Sequence, residues 1–193
     1  MISYSGVAMA VSEPKYSVEN KTSEYEIRLY ASTLVAQTQI DLPFDDAGNK
    51  AFKILADYIF GNNKTKTKID MTAPVAQQPI SEKIAMTAPV SQIKNSMGYL
   101  VQFTMPEQYK METLPEPLDP RVELVEVPAR KVAVYSYSGS WSESRYKDKL
   151  EEFNKALSRD NIKTMGEPIF ARFNSPFQFW FLRRNEIWFV VSP

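Results

Sequence analysis

Apolar and polar residues alternate with a period near two in YEIRLY (25–30) and LVAQTQI (34–40), the pattern of half-buried strands. From about 43 to 60 the period lengthens. Ala47, Ala51, Ile54, Leu55, Tyr58 and Ile59 recur at three and four, which predicts an amphipathic helix. Asp45 and Asp46 fall at its electropositive start, and Gly61-Asn62 stops it. Strand patterns return through the following segment and in YLVQFTM (99–105). Four prolines, Pro106, Pro115, Pro117 and Pro120, then mark a connector over 106–120 that suits neither a helix nor a central strand.

Beyond the connector the order repeats. VELVEV (122–127) and KVAVYSYSG (131–139) predict two strands. Ser140 and Glu143 have the spacing of a capping box. The helix they open carries Tyr146, Leu150, Phe153 and Leu157 on one face, with Lys155 and Arg159 in its last turn. FQFWFL (177–182) and IWFVV (187–191) read as a closing hairpin joined by a polar RRNE turn. Glu26 and Glu123, and Val35-Ala36 and Val132-Ala133, stand 97 positions apart, so the chain reads as two copies of one strand–strand–helix–strand–strand unit. Two such units complete one antiparallel sheet or barrel with two helices outside it, an α+β fold. The expected organisation is a flexible tail over 1–14 and a single domain over 15–193, with halves at about 15–105 and 121–193.

A shorter repeat lies inside the first half. KIDMTAPVAQ (68–77) returns as KIAMTAPVSQ (83–92). Two matched methionines raise the possibility of paired ligands. Read as strands, however, Ile69, Met71, Ala73 and Val75, and again Ile84, Met86, Ala88 and Val90, each form one apolar stripe. Met71 and Met86 then read as packing residues. Pro74 and Pro89 remove a ladder donor, so each strand is expected to end or bulge there. Lys64, Lys66 and Lys68 alternate with threonines and read as a solvated strand edge.

Composition narrows the chemistry. The 193 residues include neither Cys nor His, which excludes thiolate and imidazole metal sites, iron–sulfur clusters and imidazole-based triads. Lys plus Arg and Asp plus Glu both number 23, so no net charge steers the protein toward nucleic acid. No apolar run is long enough to span a bilayer. No glycine-rich phosphate loop is present, and adjacent acids such as Glu151-Glu152 do not form a catalytic pair, so no enzyme activity, catalytic set or metal set is assigned. A hydrolase or isomerase would have to rely on a buried carboxylate or on tyrosines such as Tyr58 and Tyr137. At the C-terminal end, Phe170, Phe173, Phe177, Phe179, Trp180, Phe181, Trp188 and Phe189 exceed what one strand face buries. The surplus lines a cleft, an interface or the underside of a helix.

These motifs together resemble the SOUL haem-binding protein family, and its bacterial or plant-type members in particular. The residues carrying the resemblance are YEIRLY, YIFGNN (58–63), both KIxMTAPV copies, FTMPEQY (103–109), LPEPLDPRV (114–122), FNSPF (173–177) and RRNEIW (183–188). The resemblance implies a distorted β-barrel of two pseudo-twofold halves flanked by two helices, an architecture shared with effector-binding domains of multidrug-responsive regulators. It also implies non-enzymatic binding of haem, porphyrin or a similar flat amphipathic molecule, as carrier, buffer or sensor. The alternative is an effector-binding or protein-interaction module without a haem role. Some family members place a histidine ligand in the first strand, where this chain has Leu29. Basic residues that meet the propionates elsewhere correspond here to Asn49, Asp57 and Gln178. The apolar wall is retained as Phe52, Leu55, Ala56 and Ile59 on the first helix, opposite Phe177 and Phe179, and Arg184 is the remaining candidate for a propionate. Ligation by histidine is excluded. A monomer is expected, cytoplasmic unless an N-terminal export segment has been trimmed.

Overall fold

In the computed structural model, which describes residues 12–65, 81–174 and 178–192, the period-two segments form strands and the longer-period segments form helices. In chain order the elements are β1 (Tyr16–Lys21), β2 (Glu26–Tyr30), β3 (Thr33–Ile40), α1 (Phe44–Ile59), β4 (Asn63–Lys64), β5 (Val90–Asn95), β6 (Gly98–Thr104) and β7 (Glu116–Pro117). They continue with β8 (Glu123–Val127), β9 (Arg130–Ser138), α2 (Glu143–Arg159), β10 (Thr164–Arg172) and β11 (Arg184–Val191). β4 and β7 form a short ladder of their own. The other strands join one antiparallel sheet in the order β1-β2-β9-β11-β10-β5-β6-β3-β8.

The duplication is written into that order. With β1 set aside, the sequence of strands is symmetric about the β10–β5 pair. β2 and β8 occupy equivalent ends, followed inward by β9 and β3, then β11 and β6. Each half lends its first strand to the other half's second, as β2 on β9 and β8 on β3. Neither half completes its sheet alone.

Strand alternation divides the interior into two faces. On one, Ala133, Phe170, Ile187 and Phe189 pack under Phe153, Ala156 and Leu157 of α2. On the same face Ala36, Ile40, Val101 and Phe103 pack under Ala47, Ala51, Leu55 and Ile59 of α1. The opposite face holds Tyr30, Val132, Val134, Ile169, Ala171 and Trp188. That face is curled on itself: a cavity of about 30 Å³ is lined jointly by Tyr30 and Trp188 from one part of the sheet and Val35, Gln102 and Val127 from the other. The β5–β6 hairpin turns at Gly98, whose φ of +103° and closeness to the Ile40 carbonyl oxygen leave no place for a Cβ.

Three expectations need correction. Residues 178–182 are not a strand. Phe177 lies outside the described residues, and Trp180–Leu182 forms a single 3-10 turn. The last hairpin pairs β11 with β10, and Arg184, Asn185 and Glu186 belong to β11 rather than to a turn. The second copy of the short repeat enters the sheet only at Val90, immediately after the cis Ala88–Pro89 bond. Ile84 and Ala88 are buried, but Met86 is 39% exposed and is not a packing residue. The first copy, with Met71, Pro74, Lys66 and Lys68, lies outside the described residues. Finally, α2 is capped at Ser142 without a side-chain cap bond, and Ser140 contacts the Ser142 hydroxyl at 3.3 Å instead.

Candidate functional site

The α1 residues singled out from sequence face inward, because the same three-and-four spacing that makes α1 amphipathic turns them toward the sheet. Leu55 is fully buried, Ile59 is 1% and Ala56 8% exposed, all within the core under the helix. Phe52 is half-buried against the Phe103 ring, with centroids 5.4 Å apart. Leu55 and Ile59 are sealed by their neighbours, so a ligand reaching either must displace core packing.

The aromatic turn behaves oppositely. Phe179 is 70% exposed, and Trp180, Phe181 and Leu182 are each more than half exposed, four consecutive large apolar side chains in water. The Phe179 and Phe181 rings stack at 5.7 Å with 14° between planes, and Trp180 meets Phe181 edge-on. The turn is held by Leu182 N–H donating to Phe179 O and by Arg183 Nε donating to Gln178 O. Arg184 lies over the Phe173 ring, 3.7 Å from its centroid, and pairs with Glu13 at 2.6 Å. Arg184 is the first residue of β11 and Phe179 opens the turn just ahead of it, whereas Leu55, Ala56 and Ile59 are buried under α1.

A larger cavity, about 510 Å³, lies beside the β2–β3 turn, and Glu13, the partner of Arg184, is on its wall. It is bounded by Pro14, Ala31, Leu34, Met105, Tyr109 and Lys110. Its lining mixes charged and apolar groups.

Two residues relevant to an enzymatic reading are fully engaged in structure. Glu186, 1% exposed, accepts Arg28 Nη1 on both oxygens at 3.2 Å, Trp188 Nε1–H at 2.7 Å and the Ser136 hydroxyl at 3.2 Å. Its lone pairs are spent on fixing β2, β9 and β11 together. Tyr58 donates its hydroxyl to Pro115 O at 2.8 Å, tying α1 to the connector, and burial pushes its phenol well above the ordinary range. Among the described residues no group of three carboxylates is placed to hold a metal ion.

A curled antiparallel sheet made of two interlocked halves, with one helix from each half on the same face, defines a duplicated α+β half-barrel. The chain belongs to the SOUL family: the SOUL heme-binding protein model matches residues 11–190. It is similar to heme-binding protein 2 of Homo sapiens, 26% identical over 196 residues that cover 95% of this chain and 87% of the relative. It is likewise similar to heme-binding protein 2 of Mus musculus, 29% identical, with 90% and 80% covered. Among solved structures, the EcmrR C-terminal domain superposes with a TM-score of 0.63 at 10% identity, covering 92% of this chain and 98% of that one. A hydrolase from Listeria innocua superposes at 0.54 and 11% identity, with 90% and 94% covered. At such identities these likenesses concern the fold alone. No helix among the described residues is long and apolar enough to cross a membrane.

Proposed function

We propose that the protein binds haem, a porphyrin or a similar flat amphipathic molecule without catalysing its conversion, and that the ligand lies on the aromatic turn rather than under α1. The observation that carries this reading is the run Phe179-Trp180-Phe181-Leu182, exposed over more than half of each side chain and flanked by Arg183 and Arg184. Covering such rings with a flat apolar face removes a large area from water at about 25 cal/mol per Å². Arg184 supplies a carboxylate partner by leaving Glu13, an exposed pair whose loss costs about 0–1 kcal/mol. Membership of a family described as heme-binding supports the ligand class.

These residues fit the faces and carboxylates of a macrocycle. They do not fit an imidazole-ligated iron, because the chain has no histidine. When bound, the group supplies a large conjugated surface and its metal, and the protein's part is to shield one face and neutralise the carboxylates.

Hemin titration followed in the Soret band, with Trp180 quenching as a second readout, tests the proposal. Saturable binding by the natural protein, weakened about tenfold or more by Phe179→Ala/Trp180→Ala, is expected if each ring contributes the usual 1–3 kcal/mol of an exposed aromatic contact. A spectrum identical to free hemin sinks the ligand class. Equal binding by the double variant sinks the location.

A further inference from the structure

Among the described residues six buried side-chain polar atoms have no hydrogen-bond partner, and four of them come together: Tyr137 Oη, Trp141 Nε1, Arg172 Nε and Asn185 Oδ1. The sheet register explains the meeting. Asn185 of β11 is directly opposite Tyr137 of β9 on one side and Arg172 of β10 on the other, so the three form one cross-strand row on the helix-covered face. Trp141, just ahead of α2, lies over the end of that row, its ring 5.4 Å from the Arg172 guanidinium carbon.

Each of these groups is expensive to leave unpaired, and natural interiors leave few so. Asn185 is fully buried and Tyr137 is 9% exposed. The Arg172 guanidinium is hemmed in by the Phe44, Phe170 and Trp141 rings, at 5.8, 5.0 and 5.4 Å from their centroids. Its Nη2 donates to Gln92 Oε1 at 3.1 Å, and Gln92 is itself fixed by donating to Phe44 O. No carboxylate of the described residues pairs with Arg172. Asp45, on the first turn of α1, acts on it only through its field. Gly48 makes room for this arrangement, because a Cβ there would stand 2.9 Å from both Nη atoms. With the Nη atoms turned toward α1, the unpaired Nε–H is left beside Tyr137 and Trp141.

Three donors, one of them cationic, one acceptor and a surround of rings are the complement of an aromatic acid. We propose that the Tyr137–Asn185–Arg172 row and Trp141 form a binding site for the carboxylate of a small aromatic acid that carries a hydroxyl or amino group. The carboxylate takes the Arg172 Nε–H, the Tyr137 O–H and the Trp141 N–H, and the ligand's own donor satisfies Asn185 Oδ1. Phe44, Phe170 and Tyr146 already fill the space behind the row, with centroids 5.0–5.4 Å apart, so the ligand's ring stays at the Trp141 end. Half-buried Trp141, with the Arg183 guanidinium 4.2 Å over its ring, is where the ligand enters. This inference needs only a carboxylate and is independent of the tetrapyrrole reading.

Nitrogen-15 spectra of the three indole N–H groups give the test. Salicylate is the probe and salicylamide, which keeps the hydroxyl and lacks the charge, is the control. Trp141 Nε1–H is expected to shift saturably with salicylate and to respond to salicylamide only at roughly tenfold higher concentration or above, the usual difference between charged and neutral acceptors. Trp188 Nε1–H, bonded to Glu186, stays in place and reports an intact fold. Arg172→Met abolishes the salicylate response. Tyr137→Phe weakens it while leaving thermal stability unchanged or higher, since the lost hydroxyl had no partner. A Trp141 resonance indifferent to salicylate, equal responses to acid and amide, or a response that survives both substitutions overturns the proposal. So does marked destabilisation by Tyr137→Phe, which identifies a water-satisfied structural hydroxyl instead.

Discussion

At the scale of single residues, the interior is organised by one charged cluster. Arg28 is 6% exposed and Glu186 1%, and Arg28 reaches a second carboxylate, Glu26, at 2.8 Å. Removing both charges from water is costly, and the pair holds because nearly every proton and lone pair is used. Breaking it from one side leaves Arg28 with the Tyr30 hydroxyl at 3.1 Å and with Glu26, a carboxylate itself shared with Lys21 at 2.9 Å. Glu186→Gln is therefore expected to lower stability by about 3 kcal/mol, near the lower end for a broken buried pair. Glu123→Gln, which touches only an exposed contact to Gln37 at 2.9 Å, is the control and stays within about 0.5 kcal/mol. Urea denaturation of the two variants measures both values. A Glu186→Gln midpoint equal to that of the natural protein shows that the cluster does not fix the sheet.

At the scale of elements, apolar residues divide sharply between those that hold the molecule together and those left in water. α2 is attached to the sheet through few buried residues, Phe153, Ala156 and Leu157, and Phe153 contacts Tyr25, Tyr135 and Phe189. Phe153→Ala should cost about 3–5 kcal/mol, as buried aromatic truncations do, whereas Phe179→Ala/Trp180→Ala should change stability by about 0.5 kcal/mol or less. Thermal melts of both proteins check this, and a large loss in the double variant makes the turn structural and removes its availability for a ligand. The contrast also shows what was legible in the sequence. Alternation exposed β2, β3, β8 and β9, and the three-and-four spacing exposed both helices, because each has one wet and one dry face. FQFWFL misled because its last four residues are all apolar and carry no period, and the side chains of 179–182 face solvent rather than neighbouring strands. β10 was passed over because its first part, Thr164 to Glu167, is exposed and its pattern is interrupted at Gly166 (φ +72°) and Pro168; apolar burial begins only at Ile169. The same limit applies to the candidate sites. Phe179 and Arg184 were visible as types in a motif, but Tyr137, Trp141, Arg172 and Asn185 become a group only through the register of β9, β11 and β10.

At the scale of the whole molecule, each half completes the other's sheet, and the core under α1 is closed by β3, β6 and the connector. Leu55 and Ile59 pack in one cluster with Ala36, Val101, Phe103 and Leu114, drawn from β3, β6 and the connector. A ligand entering there would exchange many existing apolar contacts for its own, with little net gain in area removed from water. A ligand on the 179–182 turn covers rings that are already wet and gains the whole area. The two locations predict different patterns of backbone hydrogen exchange. With protoporphyrin bound, the amides of 178–184 are expected to exchange more slowly while those of α1 keep the protection they have in the free protein. Binding on the turn also raises the melting temperature through mass action, by about 2.7 kcal/mol of added stability at a hundredfold excess over Kd. Mass spectrometry of exchanged peptides covering 44–59 and 178–184 separates the cases. Faster exchange in α1 on binding, with 178–184 unchanged, would move the ligand beneath the helix and make Leu55, Ala56 and Ile59 its wall after displacement of the core.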